Sequence, residues 1–209
     1  MQCEIAVYSD LPGAIGPENT RFCTSTSEAV RDFPPLEWQA IGCVGNPRVR
    51  EAMYRQFCEL GYVFGKACHQ DATLFAEQIG PGCVIFPGAR LAIGCRLAED
   101  VVVNFNATVG HDTMVGAHTI IAPGVQLGGR ILCGKRVMFG IGSSVLQQRC
   151  IGSDSVISAG ASVWTDVPAG GTMVGVPAAV RKVPGRSFAP PASEHGENNQ
   201  NRQGKTIGG

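Results

Sequence analysis

From Ile79 onward an apolar residue returns at every sixth position, and this repeat constrains the fold more than any other feature of the chain. The anchors are Ile79, Ile85, Leu91, Leu97, Val103, Val109, Val115, Ile121, Leu127, Cys133, Phe139, Val145, Ile151, Ile157 and Val163, in register without insertion. A period of six fits neither the 3.6 of a helix nor the 2 of an ordinary alternating strand. The residue after each anchor is Gly, Ala, Ser or Asn in twelve of the fifteen hexads. Four places after the anchor stand small or β-branched residues such as Ala89, Thr113, Thr119, Ser155 and Ala161. One large inward residue with small neighbours suits short parallel strands joined by sharp bends, three hexads closing one triangular coil and each coil stacking on the last. Fifteen hexads predict five such coils. Stacking pairs the backbone groups of every internal coil and leaves open edges only at the two ends.

Composition agrees with a folded, uncharged-surface class of partner. Hydrophobic residues make up 44% and charged residues 16% of the 209, enough to bury a sizeable core. Lys plus Arg (17) balance Asp plus Glu (17), so no basic field is available for a nucleic-acid backbone or an anionic membrane. The opening MQCEIAVYSD has no cationic stretch leading into a long apolar run, and no membrane-length apolar segment follows. The expectation is a cytoplasmic protein without membrane insertion. Nine cysteines, at 3, 23, 43, 58, 68, 83, 95, 133 and 150, contain no CxxC pair and form neither a disulfide framework nor a zinc pattern. Several fall at inward repeat positions and read as small core hydrophobes.

Ahead of the repeat, residues 1–66 read as a small α/β cap that covers one end of the solenoid. A strand at Ile5–Tyr8 is followed by a turn at Asp10, a second strand from Gln39 to Val44, and a helix. Asn46 can cap that helix and Pro47 suits its first position; Val49, Met53, Tyr54, Phe57 and Leu60 give it a buried face, and Gly61 ends it. The repeat domain spans 67–183. Residues 184–209, polar and rich in Asn, Gln, Pro and Gly, read as a disordered tail.

The repeat, the segment Val109-Gly110-His111-Asp112 and the closing Val174-Gly175-Val176-Pro177-Ala178 together resemble the hexapeptide-repeat acyltransferases. The cap segment Cys43 to Arg50, His69 where the repeat domain begins, and Asn104 seven residues before His111 narrow the resemblance to the NeuD/PglD-like bacterial sugar acetyltransferases, over residues 4 to 183. The resemblance implies a left-handed parallel β-helix, an exception to the right-handed crossover rule. It also implies a homotrimer that binds acetyl-CoA between adjacent subunits, with a sugar or nucleotide-sugar as acceptor and no metal.

Acetyl transfer from a thioester needs a base, a donor for the developing oxyanion and a groove for the CoA arm. His111 stands in a solenoid poor in ionisable groups, and an imidazole titrates near neutrality; by resemblance it is the catalytic base. Asp112, an acidic neighbour, would orient the ring and support its protonated form. Gly129 matches the position whose backbone N–H contacts the acetyl carbonyl, although a plain corner glycine would look the same. Ile141 and Ala159 match positions along the pantetheine arm, and Gly175 and Pro177 the segment beside the adenine. Asn104 would reach the acceptor sugar, and Asp10, Gly45 and Asn46 would line the nucleotide pocket of the cap. Each of these four has an ordinary alternative as a turn or capping residue. His118 reads as a solvent-facing residue, because the second active-site histidine of the family falls on Ile120. Cys95 and Cys133 could suggest an acyl-enzyme, but inward repeat positions favour direct transfer.

The cap departs from the family pattern in opening at what reads as the second strand, short by one βα unit. Three readings follow. The first is N-acetylation of an amino sugar, UDP-linked in type, for a bacterial surface glycan, with O-acetylation of sialic acid or another sugar as its variant. The second is a non-catalytic β-helix scaffold. The third is a zinc hydrase built on His69, His111 and His118, for which the ligand spacing is poor.

Overall fold

The computed structural model describes residues 6–8, 21–23 and 25–181. Asp10 and the segment 184–209 lie outside these residues, as does Ile5 at the start of the first expected strand.

Two-residue strands follow one another at six-residue intervals and build three flat faces. The first face carries Ile79, Leu97, Val115, Cys133 and Ile151; the second Ile85, Val103, Ile121, Phe139 and Ile157; the third Leu91, Val109, Leu127, Val145 and Val163. Ile79 pairs with Leu97 and Leu97 with Val115, all in parallel register, so each coil advances by the 18 residues of three hexads. The result is a left-handed parallel β-helix, mainly β, of about six turns. It starts one partial coil before the strict repeat, at Ala67–Cys68 and Thr73–Leu74, and continues one beyond it to Thr172–Val174. The anchors point inward and merge into one core in which Leu97, Val103, Val109, Ile121, Phe139, Ile157 and Val163 are fully buried. Burial of each such side chain is worth about 1.5–3 kcal/mol, and the coils share that gain along the whole axis.

The bends obey a rule that the small-residue pattern only half reveals. The third residue after every anchor from Ile79 to Ile157 has positive φ: Gly82, Gly88, Gly94, Asp100, Asn106, Asp112, His118, Gly124, Arg130, Arg136, Gly142, Gln148, Asp154 and Gly160. A left-handed residue is what lets the chain turn a corner in so few steps, and Gly, Asn and Asp enter that region at least cost. The fourth residue points back inside. There Thr113 donates its hydroxyl to Gly128 O (3.0 Å) and Thr119 to Gly134 O (3.3 Å), so buried hydroxyls satisfy corner carbonyls.

The cap holds more elements than its sequence suggests. Ala6–Tyr8 pairs in parallel with Arg21–Cys23, and helix α1, Thr26–Asp32, follows with Ser25 as its N-cap. The strand expected over Gln39 to Val44 is only Gln39–Ala40, paired with Val63–Phe64. The carbonyls beyond it are taken by a side chain instead: Arg50 Nη1 donates to Gly42 O (3.0 Å) and Val44 O (3.1 Å). Helix α2, Pro47–Glu59, forms where expected, with the Asn46 carboxamide accepting from Arg48 N and Val49 N, and Gly61 at φ +90° after its end. Its buried face differs from expectation. Pro47, Arg50 and Phe57 are buried while Val49 and Leu60 are exposed, because α2 lies along one flank of the β-helix and not over its end.

Candidate active site

Each coil has three corners, which follow the first, second and third faces. His111 stands at the apex of a third corner, two residues after the anchor Val109. Its Nδ1 lies 2.9 Å from Asp112 Oδ2, and both side chains are about half exposed. A carboxylate can only accept, so Nδ1 is the donor, and in the neutral imidazole Nε2 is left with its lone pair. Asp112 reaches this position from the left-handed region, φ +55°, where an Asx residue is tolerated.

One coil further along stands Gly129, 18 residues on, and Arg130 N–H ties the two levels together by donating to His111 O (2.7 Å). The two residues are in intimate contact. A Cβ on Gly129 would lie 2.6 Å from His111 Cδ2 and 2.8 Å from Cε1, and against Nε2 as well. No other residue type fits beneath the imidazole without displacing it. The hydroxyl of Thr113 holds Gly128 O on the inner side of the corner (3.0 Å). In a trans peptide the following N–H points the opposite way, so Gly129 N–H is aimed outward. The flanking rungs use Gly128 N–H and Arg130 N–H as donors, and among the described residues Gly129 N–H has no acceptor. An imidazole and an oriented backbone donor thus share one corner.

The second corners carry a different set. Asn104 is the first residue after the anchor Val103, and its Oδ1 accepts from Phe105 N (2.8 Å), so the amide nitrogen is the group it can offer outward. Phe105, Pro123, Ile141 and Ala159 succeed one another at the apex, one per coil, and Gly175 continues the column after the last second-face strand. Gly142 and Gly160 have open space where a side chain would be, and Ile141 is 63% exposed. Gly175 and Pro177 form the exposed turn that leads to the antiparallel strand Ala179–Val180. The sequence grouped His111 and Gly129 with Asn104, Ile141, Ala159, Gly175 and Pro177; in one chain they occupy two separate corners.

The first corners face α2, and here the expectation for His118 is corrected. It is buried, at 5% exposure, with Nδ1 3.0 Å from Asp100 Oδ2 and its ring edge-on to Tyr54. Asp100 also pairs with the buried Arg50. Two coils on, Arg136 bridges Glu51 (3.0 Å) and Asp154 (2.7 Å), and Arg48 reaches Asp154 (3.0 Å). The Arg136 guanidinium holds the Asp154 carboxyl below the usual carboxylate range. None of this ladder was foreseen. Its signal was the recurrence of Asp100, His118, Arg136 and Asp154 at intervals of eighteen, legible only once the coil length is known. Gly45 and Asn46 belong to this flank: Gly45 is open to solvent, and the Asn46 carboxamide oxygen is engaged in capping α2.

His69, His111 and His118 do not converge, and among the described residues no three His, Cys, Asp or Glu side chains are placed to hold a metal ion. Cys95 and Cys133 point inward, and burial pushes their thiols up to about 11 and about 12, which leaves little thiolate for an acyl-enzyme. No described helix is long and apolar enough to cross a membrane.

No family model matches the chain. Serine acetyltransferases from two strains of Helicobacter pylori are 35% identical over 104 and 107 residues, 45% and 46% of this chain. The chain spans 57% and 59% of the length of those curated relatives. The acetyltransferase domain of PglB from Neisseria gonorrhoeae superposes with a TM-score of 0.80 at 30% identity, over 85% of this chain and 87% of that one. The same domain in complex with acetyl coenzyme A gives 0.78, also at 30% identity, over 85% and 86%. A perosamine N-acetyltransferase from Caulobacter crescentus, in complex with CoA and GDP-perosamine, shares the fold with a TM-score of 0.72, 23% identity and 78% of each chain covered.

Proposed function

The chain belongs to the hexapeptide-repeat acyltransferases of the NeuD/PglD-like bacterial sugar acetyltransferase type, and from that premise we propose that it moves an acetyl group from acetyl-CoA to the amine of a nucleotide-linked amino sugar. The observation that carries the reading is the third corner, where a free imidazole nitrogen and an unspent, outward N–H lie within one coil of each other.

The mechanism follows from that corner. The acceptor amine attacks the thioester carbonyl, and charge gathers on the carbonyl oxygen, where Gly129 N–H donates to it. His111 Nε2 takes the amine proton as the C–N bond forms, while Asp112 holds Nδ1–H and faces the imidazolium that results. Collapse of the tetrahedral intermediate breaks the C–S bond, and the proton passes from His111 to the departing sulfur. The products are the acetamido sugar and CoA. Asn104 donates from its free amide nitrogen to an oxygen of the acceptor, and Gly45 and Asn46 line the side of the cap from which the acceptor enters. The CoA arm lies along the second-corner column at Ile141 and Ala159, with its adenine end at Gly175 and Pro177.

Because base and column sit on different corners, one site takes His111 and Gly129 from one copy and the column from its neighbour, and a closed ring of three copies supplies three such sites. The protein acts in the cytoplasm, where nucleotide-linked sugars and acetyl-CoA are both at hand.

The test is CoA release from acetyl-CoA in the presence of a panel of UDP-, dTDP- and GDP-linked amino sugars, with free sialic acid as the hydroxyl acceptor. Turnover of an amino sugar that falls at least about 100-fold in His111→Ala, the scale of general-base catalysis, supports the reading. Turnover of sialic acid alone would transfer it to O-acetylation. Absence of both acetyl-CoA binding and turnover would leave the scaffold.

A further inference from the structure

The second-corner column changes character part-way along the solenoid. In its three outer coils the corner residues are Ala122-Pro123-Gly124, Gly140-Ile141-Gly142 and Ser158-Ala159-Gly160. They form a smooth track, with Gly124, Gly142 and Gly160 presenting no side chain and little or nothing within reach of one. In the two coils nearer the cap the corners are Phe86-Pro87-Gly88 and Asn104-Phe105-Asn106. Phe105 is 46% exposed and stands on Phe86, edge to face, with ring centroids 4.9 Å apart. The track therefore ends against an aromatic step.

The step stands at a particular level. Asn104 is the residue next to Phe105, and its carboxamide oxygen is held by Phe105 N–H. Phe105 and His111 belong to the same coil, six residues apart, one on the corner before the third face and one on the corner after it. From Ala159 to Phe105 is three coil spacings, about 14 Å at ~4.8 Å per coil, a distance that an extended pantetheine arm covers. An arm laid on the track with its adenine end at Gly175 brings its thioester to the level of Phe105 and of a neighbouring copy's catalytic corner. What lies beyond the carbonyl then meets the ring.

We propose that Phe105, propped by Phe86, is the stop that limits the acyl group to acetyl. The inference rests on the acyl-CoA reading above and adds to it the residue that selects the acyl chain. An acetyl methyl lies flat against the ring, whereas each further methylene of propionyl or butyryl must displace it. Displacement is resisted because Phe86 stands behind Phe105 in edge-to-face contact.

The experiment is titration calorimetry of the full chain with free CoA, acetyl-CoA and butyryl-CoA, which needs no acceptor. In the wild type, butyryl-CoA, longer by two methylenes, binds at least about 10-fold more weakly than acetyl-CoA, since one misfitted methylene in an apolar pocket already costs about 10- to 200-fold. In Phe105→Ala that gap closes, while free CoA, which has no acyl group to meet the ring, keeps its affinity. Phe105→Trp moves the other way and weakens acetyl-CoA relative to free CoA. If the wild type binds butyryl-CoA as tightly as acetyl-CoA, or if Phe105→Ala leaves their ratio unchanged, the ring is no stop and the proposal is overturned. Loss of free CoA binding in Phe105→Ala would also overturn it, by making the ring part of the track. Failure of the wild type to bind any of the three is a different result, because it removes the acyl-CoA reading itself.

Discussion

At the scale of single residues, the candidate site pairs one side chain that the sequence singles out with one glycine whose backbone N–H is marked by the resemblance alone. His111 and Asp112 are conspicuous because the repeat offers few ionisable groups, so an adjacent imidazole and carboxylate mark a corner where something other than packing is at work. Gly129 looks like any corner glycine until the 18-residue register puts it under the imidazole. The contact yields a sharp expectation: in Gly129→Ala the added methyl and the His111 ring cannot both keep their places. kcat/KM, read by CoA release, falls by about 100-fold, and the imidazole ¹H–¹⁵N signals of His111 shift with it. An unchanged imidazole spectrum with full activity would mean that the ring does not rest on Gly129 in solution. The cysteines make a second, independent expectation. Burial raises the thiols of Cys83 and Cys95 to about 11 and of Cys133 to about 12. At neutral pH a maleimide therefore labels exposed Cys43 and Cys150 in the native protein and spares these three.

Among elements, legibility tracked how strongly local rules bind. Every coil repeats the same steric demands, so the β-helix announces itself many times over, and α2 carries its cap, its first-turn proline and its terminal glycine in sequence order. Helix α1 has seven residues and buries only Ala29, too short for a periodic pattern, and Arg21–Cys23 is a three-residue strand; neither stood out. The strand over residues 41–44 failed for a reason no local pattern contains, since a guanidinium eight residues away claims its carbonyls. That same Arg50 fastens α2 to the solenoid through Asp100, and both side chains are 1% exposed. Arg50→Ala takes the guanidinium from the buried Asp100 carboxylate and leaves it His118 as its side-chain partner, so stability falls by about 3 kcal/mol, the low end for breaking a buried pair, measured by urea unfolding at fixed protein concentration. A loss below 1 kcal/mol would place this pair with solvent-exposed ones. The outer end of the ladder responds to acid. Because hydrogen bonding to Arg136 lowers the folded-state value for Asp154, its contribution is fully present above the usual carboxylate range. It is lost as pH falls through that depressed value, and Asp154→Asn flattens this part of the acid limb of Tm against pH.

For the whole molecule, the decisive fact is that a triangular section has three corners and each is committed differently. The first is covered by α2, the second carries the column and the Asn104 carboxamide that we propose for CoA and the acceptor, and the third carries His111, the proposed base. The period of six does not reveal this division, because sequence order runs through all three corners in every coil and makes residues on different corners look like neighbours; only the resemblance, which implies acetyl-CoA between adjacent subunits, points to it. Asn104 and His111, seven residues apart, are an example: the whole third face lies between them. On the proposed function, a site that needs both the track and the base is completed by a second copy, and mixing two defective chains tests this directly. His111→Ala keeps its track but has no base; Ile141→Arg keeps its base but has a blocked track. Each alone is inactive. Co-refolded in equal amounts and assembled at random, about a quarter of the junctions join an intact base to an intact track, and activity returns to that fraction of wild type. If one chain holds a whole site, no junction can be repaired and the mixture stays as inactive as its parts. Recovery that also disappears on dilution, in step with dissociation of the assembly, would tie the restored sites to contacts between copies.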